Sequence, residues 1–578
     1  MGCGASTAKV APPAPAKADD ATTPTLAKDL NASATAGAAE ATATPTGGAA
    51  PKATTLRIFH VNDVYDLGNL PALKTCIDEM SAGADKTLKV LAGDFLAPSV
   101  LSSVDHGKSM VEVMNLVGFD VVCFGNHECD VPNDELYLRI NELEAVCLNS
   151  NMRSFTEEFE GNKLASGKCP DNLTVQVGDK SVVLIGLNCG GPKYQKLYRP
   201  TSFGGHASSI TAPNEAFDEA VARAKAACPG AACLVPLTHQ NKADDLELAQ
   251  KVADELFPAA RGLPIPCILG GHDHGGAKSS GEKGGVYVCK AEESAADVCI
   301  IDLTWEAGRE EPTFQLRRKL LKGKKEDKKK GKPAVPADFG SDAALKAVVN
   351  AKGSIVEGLK QKPLLHVGSS PLVKSCLKEG EECLTSKNAR IKECSVGTML
   401  ATALKGAANL KTLSGPAGPI ERCHGAVING GSVRKNADYP EGDFTFADLM
   451  DEVTFPDPFI PVLLPGSVLS AAIADSRAIW KTPDDDEYGK AGKPLHCDDR
   501  MKVDPETLAV LEVDGEPLEP DKEYTILMGK RLCVPGSSNA PLAAYAEAHP
   551  EKLTDPDVGG PPQPLIAEFL ESVLGQTE

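Results

Sequence analysis

The chain has 578 residues, of which 80 are acidic and 60 are basic, so its formal net charge is −20. This length exceeds what one hydrophobic core usually supports, and two substantial domains with flanking segments are expected. The acidic balance argues against a nucleic-acid partner, because phosphate backbones are bound by concentrated positive surface. It does not exclude a small phosphate ester, since bound metal ions can supply the positive charge.

The first 54 residues predict a flexible, lipid-modified tether. The opening sequence MGCGAS fits the pattern for N-myristoylation at Gly2, and Cys3 beside it is a second attachment point, by palmitoylation. Residues 11–53 are mostly Ala, Pro, Thr and Lys and cannot bury enough apolar surface to order themselves. There is no secretory signal and no apolar stretch of transmembrane length, so the chain is expected on the cytoplasmic face of a membrane, held by lipids.

From about residue 55 the pattern changes to strands that alternate with helices. Such alternation predicts an α/β domain with a mostly parallel sheet covered on both faces. The predicted helices are 70–80, 109–117, 132–144, 214–227 and 244–256, and the strands between them include 119–124, 145–148, 181–187, 286–290 and 297–303. The 18 cysteines have no C-x-x-C pair and several lie in these apolar strands, which favours buried free thiols in a reducing compartment over disulfides.

Five of the apolar runs end in Asp, Asn or His side chains. Open α/β folds keep their ligands at the carboxyl edge of the sheet, so these side chains are expected to meet there. Together they form a set of oxygen and imidazole donors suited to two divalent metal ions. The five runs are 58–65, 90–94, 121–130, 234–239 and 267–274.

The donor types suggest how the two metals would be shared. Asp94 is placed to bridge them, and Asp63 could complete the first site. His274, two residues beyond His272 in an extended segment, can point back to that first metal. The second site would be completed by Asn126, His239 and His272. Two metals held a few ångströms apart can activate a bridging hydroxide and neutralise charge on a transferred phosphoryl group.

His127 is predicted to have a catalytic rather than a ligating role. Its neighbour Asn126 already serves the metal, and Asp130 lies three residues further on, where it can fix the tautomer of the imidazole. His127 would then stabilise the phosphoryl oxygens or protonate the leaving group. The alternative is a structural histidine that binds no metal.

The second half of the chain contains no recognisable cluster of metal ligands. A lysine-rich stretch within 317–332 is interpreted as a solvated loop between domains, with attraction to an anionic membrane as the alternative. Residues 343–360 predict a linker helix, and a second globular region starts near Leu364. It has predicted helices at 395–407 and 564–574, a predicted strand and turn at 425–434, and predicted strands at 459–464 and 524–528.

The motifs as a set resemble the calcineurin-like metallophosphoesterases. They are Asp63-Val64-Tyr65, Gly93-Asp94, Gly125-Asn126-His127-Glu128, Thr238-His239 and Gly271-His272-Asp273-His274. The long second half, with Asn429-Gly430-Gly431-Ser432-Val433-Arg434, is similar to the 5′-nucleotidase and UDP-sugar hydrolase branch of that family.

The resemblance implies a four-layer αββα catalytic domain at residues 55–313, a basic linker and helix at 314–363, and an α+β substrate-binding domain at 364–578. The active site would lie in the cleft between the two domains. Carried over by position, Asn429, Arg434 and Arg390 would contact the nucleotide, and Phe455 would be one of two aromatic rings that sandwich the base. Ordinary core packing is the alternative for Phe455.

Two positions depart from the family pattern. The first motif is normally Asp-x-His, but Tyr65 stands in place of the histidine. If Tyr65 binds metal, a hard ferric ion is favoured; if it does not, the first site is weak or is completed by water or His60, and Tyr65 only lines the pocket. Near the carboxyl end the second base-stacking aromatic is missing, unless Tyr545 or Tyr488 replaces it.

The sequence therefore predicts a phosphate monoesterase with two divalent metals (Zn, Mn, Co or Mg, with iron if Tyr65 is a ligand), acting on a small phosphate ester such as a nucleotide. One alternative is a hydrolase of phosphodiester or pyrophosphate bonds, as in a cyclic nucleotide or a nucleotide sugar. Another is a membrane-tethered nucleotide-binding protein whose turnover is impaired by Tyr65. The sequence does not indicate the oligomeric state.

Overall fold

A computed structural model describes residues 53–155, 158–159, 161–198, 201–326, 333–410, 414–415, 418–454, 458–478, 494–534, 536–553 and 561–574. The tether with Gly2 and Cys3, the predicted base-stacking residue Phe455 and its alternative Tyr488 lie outside these ranges. All the described residues belong to one compact unit, Gly48–Glu578.

The first sheet has six strands, in the order β12-β11-β1-β2-β3-β4. Strands β1 to β4 are parallel, and β11 pairs antiparallel with β1. Strand β12, which the sequence analysis did not predict, pairs antiparallel with β11 and extends this sheet beyond residue 313. The bounds are β1 Thr54–Val61, β2 Lys86–Ala92, β3 Val121–Cys123, β4 Val146–Leu148, β11 Asp297–Trp305 and β12 Thr313–Leu320.

The second sheet also has six strands, in the order β9-β10-β8-β7-β6-β5. Its four central strands are parallel, and the two outer strands run antiparallel to their neighbours. The bounds are β5 Asn172–Val177, β6 Lys180–Asn188, β7 Cys233–His239, β8 Cys267–Gly271, β9 Gly281–Lys283 and β10 Val286–Cys289.

Side-chain alternation along the strands stacks the two sheets face to face. In β1, Leu56 and Ile58 belong to a buried cluster shared with the second sheet, whereas Phe59 and Val61 pack against helices on the other side. The outer helices are α1 Leu70–Met80, α2 Lys108–Val117 and α3 Asn133–Glu142 on the first sheet, and α4 Pro213–Ala227 and α5 Lys242–Ala253 on the second. The four-layer αββα architecture is thus confirmed, and the single sheet predicted from the strand pattern is corrected to two.

The second globular region is a separate α+β domain, as predicted. The long helix α6, Ala343–Leu359, precedes it, and its main sheet has the order β14-β16-β13-β15. Helix α7 is buried along much of its length and packs against α11 and β13. The bounds are α7 Ser395–Leu410, β13 Gly425–Asn429, α8 Phe446–Glu452, β14 Phe459–Pro465, α9 Gly466–Arg477, β15 Leu495–Cys497, β16 Glu523–Gly529, α10 Ala540–Ala548 and α11 Pro562–Leu574.

Short elements connect these main ones. They include the helices Ser102–Asp105, Gly191–Tyr194 and Pro371–Cys376, and the strand pairs Glu158–Phe159 with Asn162–Lys163, Pro363–His366 with Asp443–Thr445, and Leu384–Thr385 with Asp438–Tyr439. A further small sheet joins Lys502–Val503, Val510–Val513 and Glu516–Pro517. Within the described ranges, no helix combines the length and the apolar character needed to cross a bilayer.

Candidate metal centre

The two sheets deliver the predicted ligands to one edge of the sandwich. Asp63, Asp94 and Asn126 follow the carboxyl ends of β1, β2 and β3, while His239 ends β7 and His272 follows β8. All five side chains are buried. One ligand atom from each of Asp63, Asp94 and His239 lies within 4.8 Å of the other two. His239 Nε2 is 3.1 Å from Asp94 Oδ2, which makes Asp94 the carboxylate nearest to the imidazole.

Asn126 and His272 form a second group beside the first. His272 Nδ1 lies 3.1 Å from Asn126 Oδ1, and the rings of His272 and His239 are in edge-to-face contact with centroids 5.3 Å apart. His274 takes a different direction: its Nε2 lies 3.5 Å from Asp63 Oδ1. The structure therefore places His272 beside Asn126 and His239, and places His274 beside Asp63.

Tyr65 lies in the loop after β1 and contacts three candidate ligands. Its hydroxyl oxygen is 2.9 Å from Asp94 Oδ2, 3.2 Å from Asp63 Oδ1 and 3.1 Å from His274 Nε2. A phenol has one proton to donate, so it cannot donate to both carboxylates at once. Oxygen and nitrogen atoms grouped at such separations are also what a set of ligands around one small cation would show.

His60 does not complete the first site. Its Nε2 faces the carbonyl oxygen of Gly270 at 3.2 Å, in the space between the two sheets. Burial lowers the pKa of His60 to about 3, so the ring is neutral and serves as a hydrogen-bonding group. The predicted alternative of His60 as a ligand is therefore wrong.

The backbone around the ligands is held in unusual conformations. Asp63, Asp94 and His272 have φ values of 53°, 57° and 76°, in the left-handed region that residues other than glycine rarely adopt. Such strain persists where the surrounding structure over-determines it, and it clusters at functional sites. A Cβ on Gly125 would lie 2.2 Å from Asp94 Oδ1, so glycine lets the chain pass close to that carboxylate.

The charges in this centre call for a cation. Burial alone would raise the pKa of Asp63, but the neighbouring His239 and His274 lower it, and Asp94 is likewise kept ionised by His239 and His127. Burial opposes protonation of His239, yet Asp94 and Asp63 raise the pKa of His239 to about 9. The two buried carboxylates thus favour the protonated, positively charged form of His239, whereas a metal ion binds the neutral imidazole. The donor set fits hard or borderline divalent metals.

His127 lies on the wall of the centre. Its backbone N–H donates to Asp94 Oδ1 at 2.9 Å, and its Nδ1 is 2.7 Å from Asp130 Oδ2. The contact with Asp130 orients the imidazole ring. The catalytic role of this pair stays a prediction.

Glu128 has a supporting role that the sequence analysis did not assign. The side chain is fully buried and accepts backbone N–H bonds from Asp94, Phe95, Leu96 and Gly125. Burial and the adjacent Asp94 raise the pKa of Glu128 to about 7, while those backbone N–H groups oppose the rise. The only sequence signal was its place directly after Asn126 and His127.

A cavity of about 950 Å³ opens beside these residues. Tyr65, His127 and His274 line its wall at the metal centre, and Lys322 lines it from the loop after β12. On the other side it is lined by residues of the second domain, including Pro458 and Lys530. The cavity therefore lies between the two domains.

The predicted nucleotide-contacting residues lie together in the second domain but do not line this cavity. Asn429 ends β13 and its side chain accepts from the Gly431 N–H, while Arg434 Nη1 donates to the Gly431 carbonyl at 3.3 Å. The loop carrying Arg390 is adjacent, because a Cβ on Gly430 would lie 2.1 Å from the carbonyl oxygen of Ala389. Arg390 and Arg434 are exposed.

Tyr545 does not replace the missing aromatic ring. Only 8% of its surface is exposed, it packs in the core of the second domain, and its hydroxyl donates to the Leu463 carbonyl at 2.9 Å. A base could not stack on a ring held in this way. The alternative that Tyr545 replaces the missing ring is therefore wrong, and Phe455 and Tyr488 lie outside the described residues.

Two stacked mixed sheets with carboxylate, amide and imidazole side chains at the ends of their parallel strands define a metallophosphoesterase. Residues 56–276 match the family model of the calcineurin-like phosphoesterases, and residues 375–538 match that of the 5′-nucleotidase C-terminal domain. The first domain thus resembles the calcineurin-like phosphoesterases, which are dinuclear-metal enzymes, and the second domain resembles the C-terminal domain of 5′-nucleotidases.

Individual relatives are distant. The chain is 24% identical over 249 residues to the trifunctional nucleotide phosphoesterase protein YfkN of Bacillus subtilis, a match that covers 38% of this chain and 16% of the relative. It is 33% identical over 86 residues to a probable 5′-nucleotidase of Treponema pallidum, covering 15% of this chain and 14% of the relative. The matches thus span less than two thirds of the length of both relatives.

A solved structure shares the fold over nearly the whole chain. The NAD nucleotidase of Haemophilus influenzae superposes with a TM-score of 0.64 at 15% identity, over 91% of this chain and 97% of that one. At this identity the likeness establishes the two-domain fold alone.

Proposed function

We propose that this protein is a metal-dependent hydrolase of phosphate monoesters, of the 5′-nucleotidase type. The observation that carries the proposal is the convergence of Asp63, Asp94 and His239 within 4.8 Å of one another, beside a cavity that His127 also lines. The two family models support the same reaction and a nucleotide substrate.

Each side chain has a role in this proposal. Two metals would be held by these side chains: Asp94 would serve both, Asp63 and His274 would hold the first, and Asn126, His239 and His272 would hold the second. When bound, the metals supply an activated hydroxide and charge neutralisation at the phosphoryl group. Asp130 orients His127 through Nδ1, and His127, which lines the cavity, would hydrogen-bond a phosphoryl oxygen or give a proton to the leaving oxygen.

The cavity supports an anionic substrate that reaches from one domain to the other. Lys322 lies in the loop after β12 and Lys530 follows β16, so each domain contributes a basic residue to the cavity lining. Three acidic residues also line it, and each has a partner. Asp66 accepts the Gly68 N–H at 2.6 Å, Glu292 pairs with Lys324 at 3.2 Å, and Glu293 pairs with His274 Nδ1 at 3.1 Å. The proposed contacts of Arg390, Asn429, Arg434 and Phe455 with the nucleotide rest on the family resemblance.

The size of the cavity favours one second candidate. Its volume of about 950 Å³ is at the upper end of the range for small-molecule pockets, about 300 to 1,000 Å³, and leaves space beyond a nucleoside monophosphate. A nucleotide joined to another group through a pyrophosphate bond, such as a nucleotide sugar, would use that space.

A panel of substrates tests both candidates. Purified protein loaded with Mn²⁺, Zn²⁺, Co²⁺ or Mg²⁺ is assayed for release of inorganic phosphate from nucleoside monophosphates, and for nucleoside monophosphate formed from nucleotide sugars. Metal-dependent phosphate release supports the monoesterase. Cleavage of the pyrophosphate bond alone supports the second candidate, and absence of turnover with every metal would refute both.

Tyr65 is proposed as a ligand of the first metal, which would favour ferric iron at that position. The support is its contact with Asp63, Asp94 and His274 at 2.9 to 3.2 Å. A phenolate bound to ferric iron absorbs visible light by charge transfer. The parent protein loaded with iron should therefore be coloured, and the Tyr65→Phe variant loaded in the same way should be colourless. If Tyr65 only occupies the place of a better ligand, Tyr65→His will instead raise activity with divalent ions.

We also propose that lipids at Gly2 and Cys3 hold the protein on the cytoplasmic face of a membrane. The support is the sequence MGCGAS followed by a tether of about 50 residues poor in large apolar side chains. Gly2→Ala should move the protein from the membrane fraction to the soluble fraction of cells. Cys3→Ser should weaken attachment less, because one acyl chain would remain. Unchanged membrane association of Gly2→Ala would refute the anchor.

A further inference from the structure

A fully buried lysine lies behind the two strands that carry histidine ligands. Lys290 follows the end of β10, and none of its surface is exposed. Its Nζ lies 2.5 Å from the Gln240 carbonyl oxygen, 2.7 Å from that of Gly271, 2.6 Å from Asp273 Oδ2 and 2.9 Å from Asp245 Oδ2. Burial disfavours the ammonium form, but Asp245 and Asp273 outweigh it and raise the pKa of Lys290. The group therefore carries a proton.

The carbonyl groups of Gln240 and Gly271 connect this ammonium to the backbone beside two candidate ligands. The last paired residues of β7 and β8 are His239 and Gly271, so the ladder between the strands stops at the metal centre. The Gln240 carbonyl comes directly after His239, and the Gly271 carbonyl comes directly before His272. By accepting from the same ammonium, they tie the two strand ends together where backbone pairing has ended.

The two aspartates extend the same connection. Asp273 stands between His272 and His274, and its Oδ2 also accepts the backbone N–H of Lys242, at the start of α5, at 2.5 Å. Asp245, one turn into α5, accepts from Thr238 Oγ1 at 2.7 Å and from Gln240 Nε2 at 3.0 Å, on either side of His239. A Cβ on Gly270 would lie 2.8 Å from both Asp245 Oδ2 and Lys290 Cε. The side chains of Asp245 and Lys290 therefore pack directly against the backbone of β8 and leave no room for a larger residue at position 270.

We propose that Lys290, with Asp273, is a positioning residue that sets the separation of His239 and His272 and holds His272 in its left-handed conformation. The inference rests on the proposed metal centre and assigns this lysine no contact with substrate. Its consequence is that loss of the ammonium weakens metal binding by misplacing the two imidazoles, in the way that partners behind a ligand tune a metal site.

A second buried lysine provides a matched control. Lys405, in α7 of the second domain, is 7% exposed and lies between Asp498, at 3.1 Å, and Asp514, at 2.8 Å. It reproduces the buried lysine between two aspartates but belongs to a different domain from the candidate ligands. Its loss reports the general cost of removing such a charge.

The test measures metal affinity directly. Mn²⁺ and Zn²⁺ binding is titrated calorimetrically for the full chain and for Lys290→Met, Asp273→Ala and Lys405→Met, with folding checked by circular dichroism. The Kd of at least one metal should rise about 10-fold to 100-fold in Lys290→Met and Asp273→Ala. Saturating metal should restore much of the kcat of these two variants. Lys405→Met should lower the Tm and keep the metal Kd of the parent protein.

The outcomes separate this inference from the proposed function. If the parent protein binds no metal, the proposed function fails. If it binds two metals and the folded Lys290→Met and Asp273→Ala variants bind them equally well, the positioning role is wrong. If Lys290→Met does not fold, the double variant Lys290→Met, Asp245→Asn is used instead, because it removes both charges of that ion pair. Unchanged metal affinity in the double variant or in Asp273→Ala would overturn the inference.

Discussion

His127 differs from the neighbouring histidines in the carboxylate that its ring contacts. His239 and His274 each approach Asp63, whereas Nδ1 of His127 faces Asp130, outside the cluster of candidate ligands. A histidine held in this way has its ring oriented by a carboxylate that is not one of the candidate ligands. At the scale of single residues, this separates the proposed metal ligands from the residue proposed to act on the substrate.

Replacement of His127 tests that division. His127→Ala should lower kcat by about 10² to 10⁴-fold, as expected for loss of a general acid or a phosphoryl contact, and should keep the metal content. Metal analysis by mass spectrometry and steady-state kinetics measure the two effects. Asp130→Asn should lower kcat less than His127→Ala, since it changes only the hydrogen-bond partner of His127 Nδ1. Loss of metal in His127→Ala would mean that a ligand has been mistaken for an acid.

Proton competition at His239 predicts the pH dependence of metal binding. Without metal, Asp94 and Asp63 raise the pKa of His239 to about 9, so the imidazole is protonated at neutral pH and metal must displace that proton. Metal affinity should therefore fall as the pH falls below 9, by about tenfold for each pH unit, because one proton on His239 must be displaced.

Calorimetry in two buffers with different ionisation enthalpies would count the protons released on metal binding. About one proton per chain at pH 7.5 is expected from His239. Metal binding at that pH without proton release would contradict a raised pKa at this residue.

The candidate ligands could be predicted from the sequence because each follows a strand end, and strand ends are visible as apolar runs that break into polar residues. Glu128 and Lys290 could not be predicted in this way. Their roles depend on which backbone groups the fold brings to them: four N–H groups from two loops for Glu128, and two carbonyls from separate strands for Lys290. Tyr545 stayed open as a replacement for the missing ring because the sequence of a helix does not show whether an aromatic residue faces a ligand or the core.

At the scale of elements, close packing of loops against ligands shapes the centre. Gly93 has φ of 78°, and a Cβ there would lie 2.2 Å from His239 Nδ1. The end of β2 therefore approaches the end of β7 more closely than any larger residue allows. Such contact between the two sheets is what brings Asp94 within reach of His239.

Gly93→Ala should consequently lose metal affinity and stability together. Overpacking of this kind costs about 1 to 3 kcal/mol, in addition to the backbone strain. Gly83→Ala is the control, because Gly83 has a similar φ of 88° but a Cβ there would meet no described atom within 4 Å. Urea unfolding and metal titration of both variants separate the two costs. Equal losses in both would show that strain alone, without the contact to His239, explains the effect.

The two-sheet sandwich shows what strand patterns leave open. Parallel strands buried on both faces look alike in sequence whether they share one sheet or belong to two, since both faces are apolar in either case. In β1 the faces differ only in what covers them, the second sheet over Leu56 and helices over Phe59. The resemblance of the metal motifs supplied the missing layer, while β12 was overlooked because its sequence, TFQLRRKL, alternates with charged residues on an edge strand.

At the scale of the whole molecule, the cavity between the domains joins the metal centre to basic residues on both sides. Lys530→Ala should raise KM for a nucleotide by about 10-fold or more, as expected for one charge-assisted contact of about 1.5 to 3 kcal/mol, and should leave kcat nearly unchanged. Lys552→Ala is the control, because Lys552 pairs with Glu523 and does not line the cavity. An unchanged KM in Lys530→Ala would show that the substrate binds without this side of the cavity.

The central claim is that distant segments of the chain gather to hold two metal ions around Asp94. Crystals grown with Mn²⁺ and measured by anomalous diffraction test it most directly. Two anomalous peaks are expected a few ångströms apart, with Asp94 between them, Asp63 and His274 at one, and Asn126, His239 and His272 at the other. A map without a peak among these residues, from crystals of protein that hydrolyses phosphate esters, would contradict it.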